Sequence, residues 1–113
     1  NGRRRQRQMC IRDSNNLIDG IMGSDIVMML RIQNERIMDT ELPSANDYFL
    51  EYGLTSKKLE NAKSNALVMH PGPINRDVEI ESSLADDVNK SVINEQVENG
   101  VAVRMACLAI LMK

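Results

Sequence analysis

The feature that most constrains this chain is a short apolar run that ends in a histidine and two prolines. Residues 66–69 read Ala-Leu-Val-Met, the length and composition of a buried strand in a parallel sheet. The run is followed directly by His70, Pro71, Gly72 and Pro73. Each proline fixes φ near about −65°, and the glycine accepts conformations closed to other residues, so this turn has little freedom to lose on binding. Ligands of open α/β sheets lie beyond the carboxyl ends of strands; the pattern fits such a loop and a plain rigid turn equally well.

A second apolar run, residues 26–30, is typical of a central parallel strand and leads into Arg31-Ile-Gln-Asn-Glu-Arg36. Because side chains alternate along extended backbone, Arg31, Gln33 and Glu35 would lie on one side of the strand's carboxyl end. An arginine there offers a planar fork for a carboxylate, and Gln33 adds a donor and an acceptor. The alternative is a solvated strand end with a local Arg31–Glu35 pair, which contributes little when exposed.

Helices are predicted between and around these strands. Residues 17–23 end a helix at Gly23, and Ser44 with an acid three residues later begins another that ends at Gly53. Thr55 begins a helix over residues 56–63, in which Lys57 and Lys58 are expected to be solvated. Strand, helices and strand in this order predict parallel strands with a right-handed crossover.

The last element is a long helix from Ser91 onward, about 30 Å in length. Its apolar stripe recurs at three- and four-residue steps, at Ile93, Val97, Val101, Met105, Leu108 and Met112. A helix this long and apolar needs a larger partner surface than the preceding residues supply.

Composition excludes several function classes. No window approaches the roughly 18 apolar residues of a membrane span, and no signal-peptide pattern is present. The three aromatic residues cluster in one segment, so no interleaved basic and aromatic surface for nucleic acid exists. The two cysteines are far apart in sequence, which predicts no disulfide and a cytoplasmic location. The acids Glu79 and Glu81 are expected to be solvated, with no metal site.

The segments HPGPINR and VEI, and later SVINEQVENGVAVRMA, closely resemble the C-terminal part of the aspartate carbamoyltransferase catalytic chain. The resemblance runs from about Leu17 to the end and covers about the last third of that family's chain. It implies an α/β fold, with residues 17–90 forming part of the doubly wound parallel sheet of the aspartate-binding domain. Residues 91–113 would form a C-terminal helix that packs on a carbamoyl phosphate domain absent from this chain.

The resemblance also implies roles for individual residues. Arg31 and Gln33 match the positions that hold the carboxylates of L-aspartate, Glu35 matches the acid that steadies the arginine, and Arg36 matches an interdomain contact. The carbonyls of Pro71 and Gly72 would accept hydrogen bonds from the amino group of carbamoyl phosphate, with Pro73 fixing the loop. His70 is expected to be structural, holding the loop by hydrogen bonds. The family's histidine that acts on carbamoyl phosphate belongs to an earlier motif, so no catalytic residue is assigned here. The family usually has glycine at the position of Asp77, a residue that tolerates positive φ comparatively well.

The implied enzyme transfers the carbamoyl group of carbamoyl phosphate to L-aspartate in pyrimidine synthesis, as a homotrimer without metal or cofactor. One alternative is ornithine carbamoyltransferase, whose cysteine-containing proline loop differs from HPGP. Another is a truncated, non-catalytic interaction module.

Residues 1–16 stand apart from this resemblance. Five arginines lie within residues 1–14, and the segment has no apolar period. It resembles a translated sequencing adapter, which predicts a non-native or disordered leader on an incomplete chain; a basic nucleic-acid-binding arm is the alternative.

Overall fold

The computed structural model describes residues 11–32 and 44–113. Its elements are α1 (Leu17–Ile21), β1 (Ile26–Met28), α2 (Ala45–Tyr52), α3 (Ser56–Leu59), β2 (Leu67–Met69), α4 (Ser82–Ala85) and α5 (Ile93–Leu111). The predicted α/β class, with a parallel sheet and a long C-terminal helix, is confirmed.

The two strands are hydrogen-bonded neighbours and run parallel, as predicted, with Val27 opposite Val68. The pairing continues one residue beyond β1, where the Met29 N–H donates to the Met69 carbonyl over 2.9 Å. Along its other edge, β2 contacts the segment before α5, since the Val92 N–H donates to the Val68 carbonyl over 3.0 Å.

Both strands are shorter than the apolar runs that predicted them, and each is covered on one face. Val27 and Val68 are buried, whereas Ile26, Met28 and Leu67 are exposed. A continuous apolar run is typical of a strand covered on both faces. The exposed apolar positions therefore form a second sheet face that the described residues leave uncovered.

The core lies on the covered face of the sheet. Leu54, Val68 and Ile80 are completely buried, and Leu84 of α4 is 1% exposed. A parallel bridge between Leu54 and Ile80 joins the end of α2 to the segment before α4. The remaining buried apolar residues are Ile21, Val27, Met29, Leu59, Ala62, Ala66, Ala85 and Ile93.

The predicted limits of α2 are confirmed. The Ser44 hydroxyl oxygen accepts a hydrogen bond from the Asp47 N–H over 3.2 Å, and the Gly53 N–H donates to the Phe49 carbonyl over 2.9 Å. Phe49 lies so close to Gly53 that a Cβ at residue 53 would be 2.3 Å from Cδ2 of the ring.

Thr55 caps α3 as predicted, but this helix ends at Leu59 instead of residue 63. The side-chain amide of Asn61 donates to the Lys58 carbonyl over 2.9 Å, which occupies an acceptor that a further turn would use.

Lys58 is not simply solvated, as the sequence analysis expected. Its ammonium donates to the carbonyls of Leu50, Glu51 and Gly53 over 2.8, 3.2 and 2.9 Å, where α2 ends. A lysine at this end of a helix satisfies carbonyls that have no partner within the helix. Partial burial lowers the pKa of Lys58.

The final helix, α5, begins at Ile93 with Val92 as its N-cap, two residues after the predicted start at Ser91. Only Ile93 is buried; every later residue of the stripe is about half exposed or more. In the part of the chain that the structure describes, no helix combines the length and apolar character needed to cross a membrane.

Candidate functional site

The candidate site lies where β1 and β2 both end. Because the strands are parallel neighbours, the chain leaves both at the same edge of the sheet, through Arg31 after β1 and through His70 after β2. The Asn75 side-chain amide donates to the Ile32 carbonyl over 3.2 Å. The structure therefore brings the segment of exposed Arg31 beside the proline loop. Gln33, Glu35 and Arg36, the other predicted residues of the first segment, lie outside the described residues.

The proline loop, Pro71 to Pro73, has a left-handed residue at its centre. Gly72 has φ +65°, and the peptide bond between Gly72 and Pro73 is cis. A Cβ at Gly72 would be 3.3 Å from the Val97 side chain of α5. Pro71 and Pro73 are exposed at the surface of the loop, whereas Gly72 is half-buried. The positive φ is strained for other residues, and a Cβ would also require the Val97 side chain to shift.

His70 lies beneath this loop and is completely buried. Its Nδ1 accepts a hydrogen bond from the Gly72 N–H over 2.8 Å, and its Nε2 is 3.2 Å from Oε1 of Glu79. Its backbone N–H donates to the Gln96 side-chain oxygen of α5 over 2.9 Å. These bonds join the proline loop, the helix and the Glu79 segment around one imidazole.

Glu79 is also completely buried, so the expectation that it is solvated was wrong. Its Oε1 accepts a second hydrogen bond from the Asn75 N–H over 2.6 Å. Its Oε2 is buried without a hydrogen-bond partner among the described residues. Burial, together with the nearby charge of Glu79, raises the pKa of Tyr48 in α2. A buried carboxylate is stable only when hydrogen bonds or charges compensate it, and here its partners, His70 and Asn75, flank the proline loop.

Glu81 is half-buried and is not simply solvated either. Its Oε2 accepts hydrogen bonds from the Ser56 N–H and hydroxyl over 2.9 and 3.0 Å. These bonds hold the first residue of α3 against the segment that follows the loop.

Two further acids fix the chain between the loop and α4. Asp77 has φ +58°, and its carboxylate accepts hydrogen bonds from the Ser82 N–H and hydroxyl, both over 2.8 Å, which lowers the pKa of Asp77. Arg76 donates to both oxygens of Asp86 over 2.7 and 2.8 Å, and this fork lowers the pKa of Asp86. The positive φ considered for position 77 is thus present, and aspartate at this position also forms side-chain hydrogen bonds to Ser82.

A groove of about 530 Å³ lies between the proline loop and α5. This volume is typical of small-molecule sites. Arg104 contributes a positive charge to its wall. The lining residues are Pro71, Gly72, Pro73, Gln96, Val97, Gly100, Val101 and Arg104. Val97 and Val101, two residues of the apolar stripe of α5, lie in the same wall.

Residue-by-residue analysis of the sequence missed Asn75, Glu79, Gln96 and Arg104 as contributors to this region. Helical periodicity did not separate Gln96 and Arg104 from solvated residues. Gln96 and Arg104 lie within the motif SVINEQVENGVAVRMA, and Asn75 and Glu79 lie within HPGPINR and VEI. The family resemblance of these motifs is the sequence signal that could have identified all four residues.

Comparison with protein families gives a match over residues 3–111 to the family described as aspartate/ornithine carbamoyltransferase, Asp/Orn binding domain. The match begins at residue 3, inside the segment 1–16, and the nature of that segment stays a prediction.

Curated relatives include the aspartate carbamoyltransferase catalytic subunit of Sphingopyxis alaskensis, 59% identical over 104 residues, which are 92% of this chain and 30% of the relative. The subunit of the same name from Pelagibacter ubique is 62% identical over 91 residues, 80% of this chain and 29% of the relative. The chain thus spans about 30% of the length of these relatives.

Similar solved structures include aspartate transcarbamoylase from Trypanosoma cruzi in complex with carbamoyl aspartate and phosphate. It has a TM-score of 0.66 and 25% identity over 84% of this chain and 28% of that one. Ornithine carbamoyltransferase from Pyrococcus furiosus has a TM-score of 0.70 at 21% identity, over 83% of this chain and 29% of that one. The latter likeness is one of fold alone.

Proposed function

This chain belongs to the aspartate/ornithine carbamoyltransferase family, and from that premise we propose that it forms the C-terminal part of an aspartate carbamoyltransferase catalytic chain. The complete protein transfers the carbamoyl group of carbamoyl phosphate to the amine of L-aspartate, giving N-carbamoyl-L-aspartate and phosphate for pyrimidine synthesis. The observation that carries this proposal is the identity of 59% and 62% to relatives named for aspartate. Because both of these relatives are named for aspartate, aspartate is favoured over ornithine as the acceptor.

On the aspartate side, Arg31 binds a substrate carboxylate through its planar guanidinium, which can donate two parallel hydrogen bonds. Gln33 supplies a further polar contact, Glu35 steadies Arg31, and Arg36 forms an interdomain contact. Support comes from the position of Arg31 at the carboxyl end of β1, next to the loop that follows β2.

On the carbamoyl side, the carbonyls of Pro71 and Gly72 accept hydrogen bonds from the amino group of carbamoyl phosphate, and Pro73 restricts the loop. His70 supports the loop from below through the Gly72 N–H. The two substrates are held side by side, so orientation and stabilisation of developing charge supply the rate acceleration assigned to these residues.

We also propose which domain each part of the chain belongs to, and how the complete chains assemble. Residues 17–90 belong to the aspartate-binding domain, and α5, within residues 91–113, packs against the carbamoyl phosphate domain of the complete chain. Support comes from the apolar residues of α5, of which Leu108 is 57% and Met105 65% exposed within this chain. The complete chains act as a homotrimer in the cytoplasm.

The test joins this sequence to the remaining part of a curated relative and expresses the chimeric catalytic chain in cells that lack the activity. Growth without added pyrimidine, and formation of carbamoyl aspartate by the purified protein, are expected. Ornithine, supplied in place of aspartate, should give no comparable turnover. The unaltered relative serves as the matched control. An inactive chimera beside an active control, or a preference for ornithine, would contradict the proposal.

A further inference from the structure

Glu79 lies at the centre of the hydrogen bonds that hold the two substrate-binding segments together. Its Oε1 is shared by the His70 ring, 3.2 Å away, and the Asn75 N–H, 2.6 Å away. The side chains of Glu79 and His70 are completely buried. Both bonds therefore lie out of contact with solvent.

The bond on the other side of the ring defines which imidazole nitrogen carries the proton. The Gly72 N–H donates to Nδ1 of His70, so Nδ1 must hold a lone pair. In a neutral ring the proton is then on Nε2, and Nε2 donates it to Glu79. The hydrogen bond to Glu79 thereby favours the Nε2–H tautomer of His70. Only this tautomer leaves Nδ1 free to accept the hydrogen bond from the Gly72 N–H, and a bond at one ring nitrogen commonly decides the protonation of the other.

The second bond of Glu79 leads to the other substrate segment. The Asn75 backbone donates to Glu79, and the Asn75 side chain donates to the Ile32 carbonyl, next to Arg31. One carboxylate oxygen is thus linked through His70 to Gly72 and through Asn75 to the strand end that carries Arg31.

We propose that Glu79 is a positioning residue for carbamoyl transfer, which fixes the carbonyls of the proline loop relative to Arg31 by holding His70 in its Nε2–H tautomer and Asn75 in place. This inference rests on the proposed function and adds to it a residue that touches neither substrate. Because the loop and the strand end move relative to each other when Glu79 is displaced, its loss misaligns two bound reactants and leaves the binding of each largely intact. Misalignment of this kind lowers kcat more than it raises KM.

The informative substitutions are Glu79→Asp and Glu79→Gln in the complete chimeric chain. Aspartate keeps the charge but withdraws the carboxylate by one methylene group from both donors. Glutamine keeps the length, and its amide oxygen can accept from both. We expect Glu79→Asp to lower kcat at least tenfold with both KM values within about threefold, and Glu79→Gln to lose less than Glu79→Asp. Glu81→Asp is the matched control and should leave kcat within about twofold, since the Glu81 carboxylate accepts hydrogen bonds from Ser56, away from the proline loop.

A second readout follows the tautomer directly. His70 is the only histidine among the 113 residues, so segmental ¹⁵N-histidine labelling of this part of the chimera gives a single imidazole spectrum. The unsubstituted chain and Glu79→Gln should show the Nε2–H tautomer, and Glu79→Asp should show a mixture. An active unsubstituted chain whose kcat and tautomer are both unchanged by Glu79→Asp would overturn the positioning role alone. A loss in Glu79→Gln as large as that in Glu79→Asp would overturn it as well. An unsubstituted chimera without carbamoyl transfer, beside an active relative, would overturn the proposed function and the positioning role with it.

Discussion

The side chain of Asn75 donates a hydrogen bond over 3.2 Å to the backbone carbonyl of Ile32, a residue 43 positions earlier in the sequence. Asn75 lies just after the proline loop, and Ile32 follows Arg31. This contact therefore joins two segments for which we propose different substrates. The contact holds the loop and the end of β1 together as one site.

Replacing Arg31 with alanine in the complete chimeric chain should weaken the use of aspartate. Truncating one partner of a desolvated charge pair costs about 2–5 kcal/mol, so KM for aspartate should rise by roughly 30-fold or more. The dissociation constant of carbamoyl phosphate should change less than about twofold. Steady-state kinetics and calorimetry measure the two quantities.

Arg12→Ala is the control for the loss of an exposed arginine, because Arg12 is also exposed and lies far along the chain from Arg31. If Arg31→Ala weakened the binding of aspartate and of carbamoyl phosphate equally, Arg31 would support the fold and would not bind the amino acid.

Stability should depend on pH through Asp77 and Asp86. The pKa of each carboxyl is lowered in the folded chain by hydrogen bonds, from Ser82 and Arg76 respectively. A lowered folded pKa means that the stabilising contribution is present above the ordinary value of 3.8 and is lost as the pH falls below it. Denaturant unfolding of the complete chain between about pH 2 and about pH 6 should show this loss at the acid end of the range.

The double substitution Asp77→Asn with Asp86→Asn should flatten this part of the pH profile. Asp87→Asn provides a comparison, since the Asp87 carboxylate accepts its hydrogen bond from the backbone N–H of Asn89, two residues on. An unchanged profile in the double variant would place the acid sensitivity in other carboxylates.

Substitutions of Asp77 should rank by their tolerance of positive φ. At φ +58°, asparagine is accommodated and can keep an oxygen near Ser82, whereas a β-branched residue is strained there. Melting temperatures should therefore follow the order Asp77, Asn and then Val. Glycine should lie between asparagine and valine, because it relieves the backbone but removes the acceptor for Ser82. A valine variant as stable as the aspartate chain would show that the loop relaxes without cost.

The 113-residue chain by itself should be poorly folded or aggregate, and should show no carbamoyl transfer. Exposing roughly 400 Å² of the apolar stripe of α5 forfeits on the order of 10 kcal/mol of burial, which is comparable to the whole stability of a domain. Size-exclusion chromatography and denaturant unfolding test this, and co-expression with the remaining part of the catalytic chain should increase solubility.

Val101→Glu with Leu108→Lys gives a sharper comparison, since both residues are exposed in this chain. The charges should increase the solubility of the isolated chain and abolish the gain from co-expression. A soluble, cooperatively melting monomer of the unsubstituted chain would instead favour the interaction module.

The elements that sequence predicted well are those whose causes are local. Ser44 and Thr55 cap helices through residues three positions ahead, and the apolar runs mark both strands because neighbouring residues share one environment. Gly72 and Asp77 lie at positive φ where the loop pattern suggested unusual backbone.

Two of the predictions that failed concern acidic residues whose partners lie farther away along the chain. Glu81 bonds to Ser56, 25 positions away, and Glu79 is buried by a histidine nine positions away. A charged residue within an otherwise polar stretch looks solvated unless the partner that compensates it is known. The segment of Gln33, Glu35 and Arg36 lies outside the described residues, so those roles stay predictions.

Gly53 shows a constraint of a different origin from that at Gly72. Its φ of −65° is available to every amino acid, so its backbone conformation does not require glycine. The obstacle is space: a Cβ would meet the Phe49 ring at 2.3 Å and the Phe49 carbonyl oxygen at 2.5 Å. Shrinking the neighbouring side chain removes only the first clash, because the carbonyl belongs to the backbone of α2. Under selection for folding, no compensating change at position 49 should open position 53 to variation, and even alanine should be purged from a library of variants.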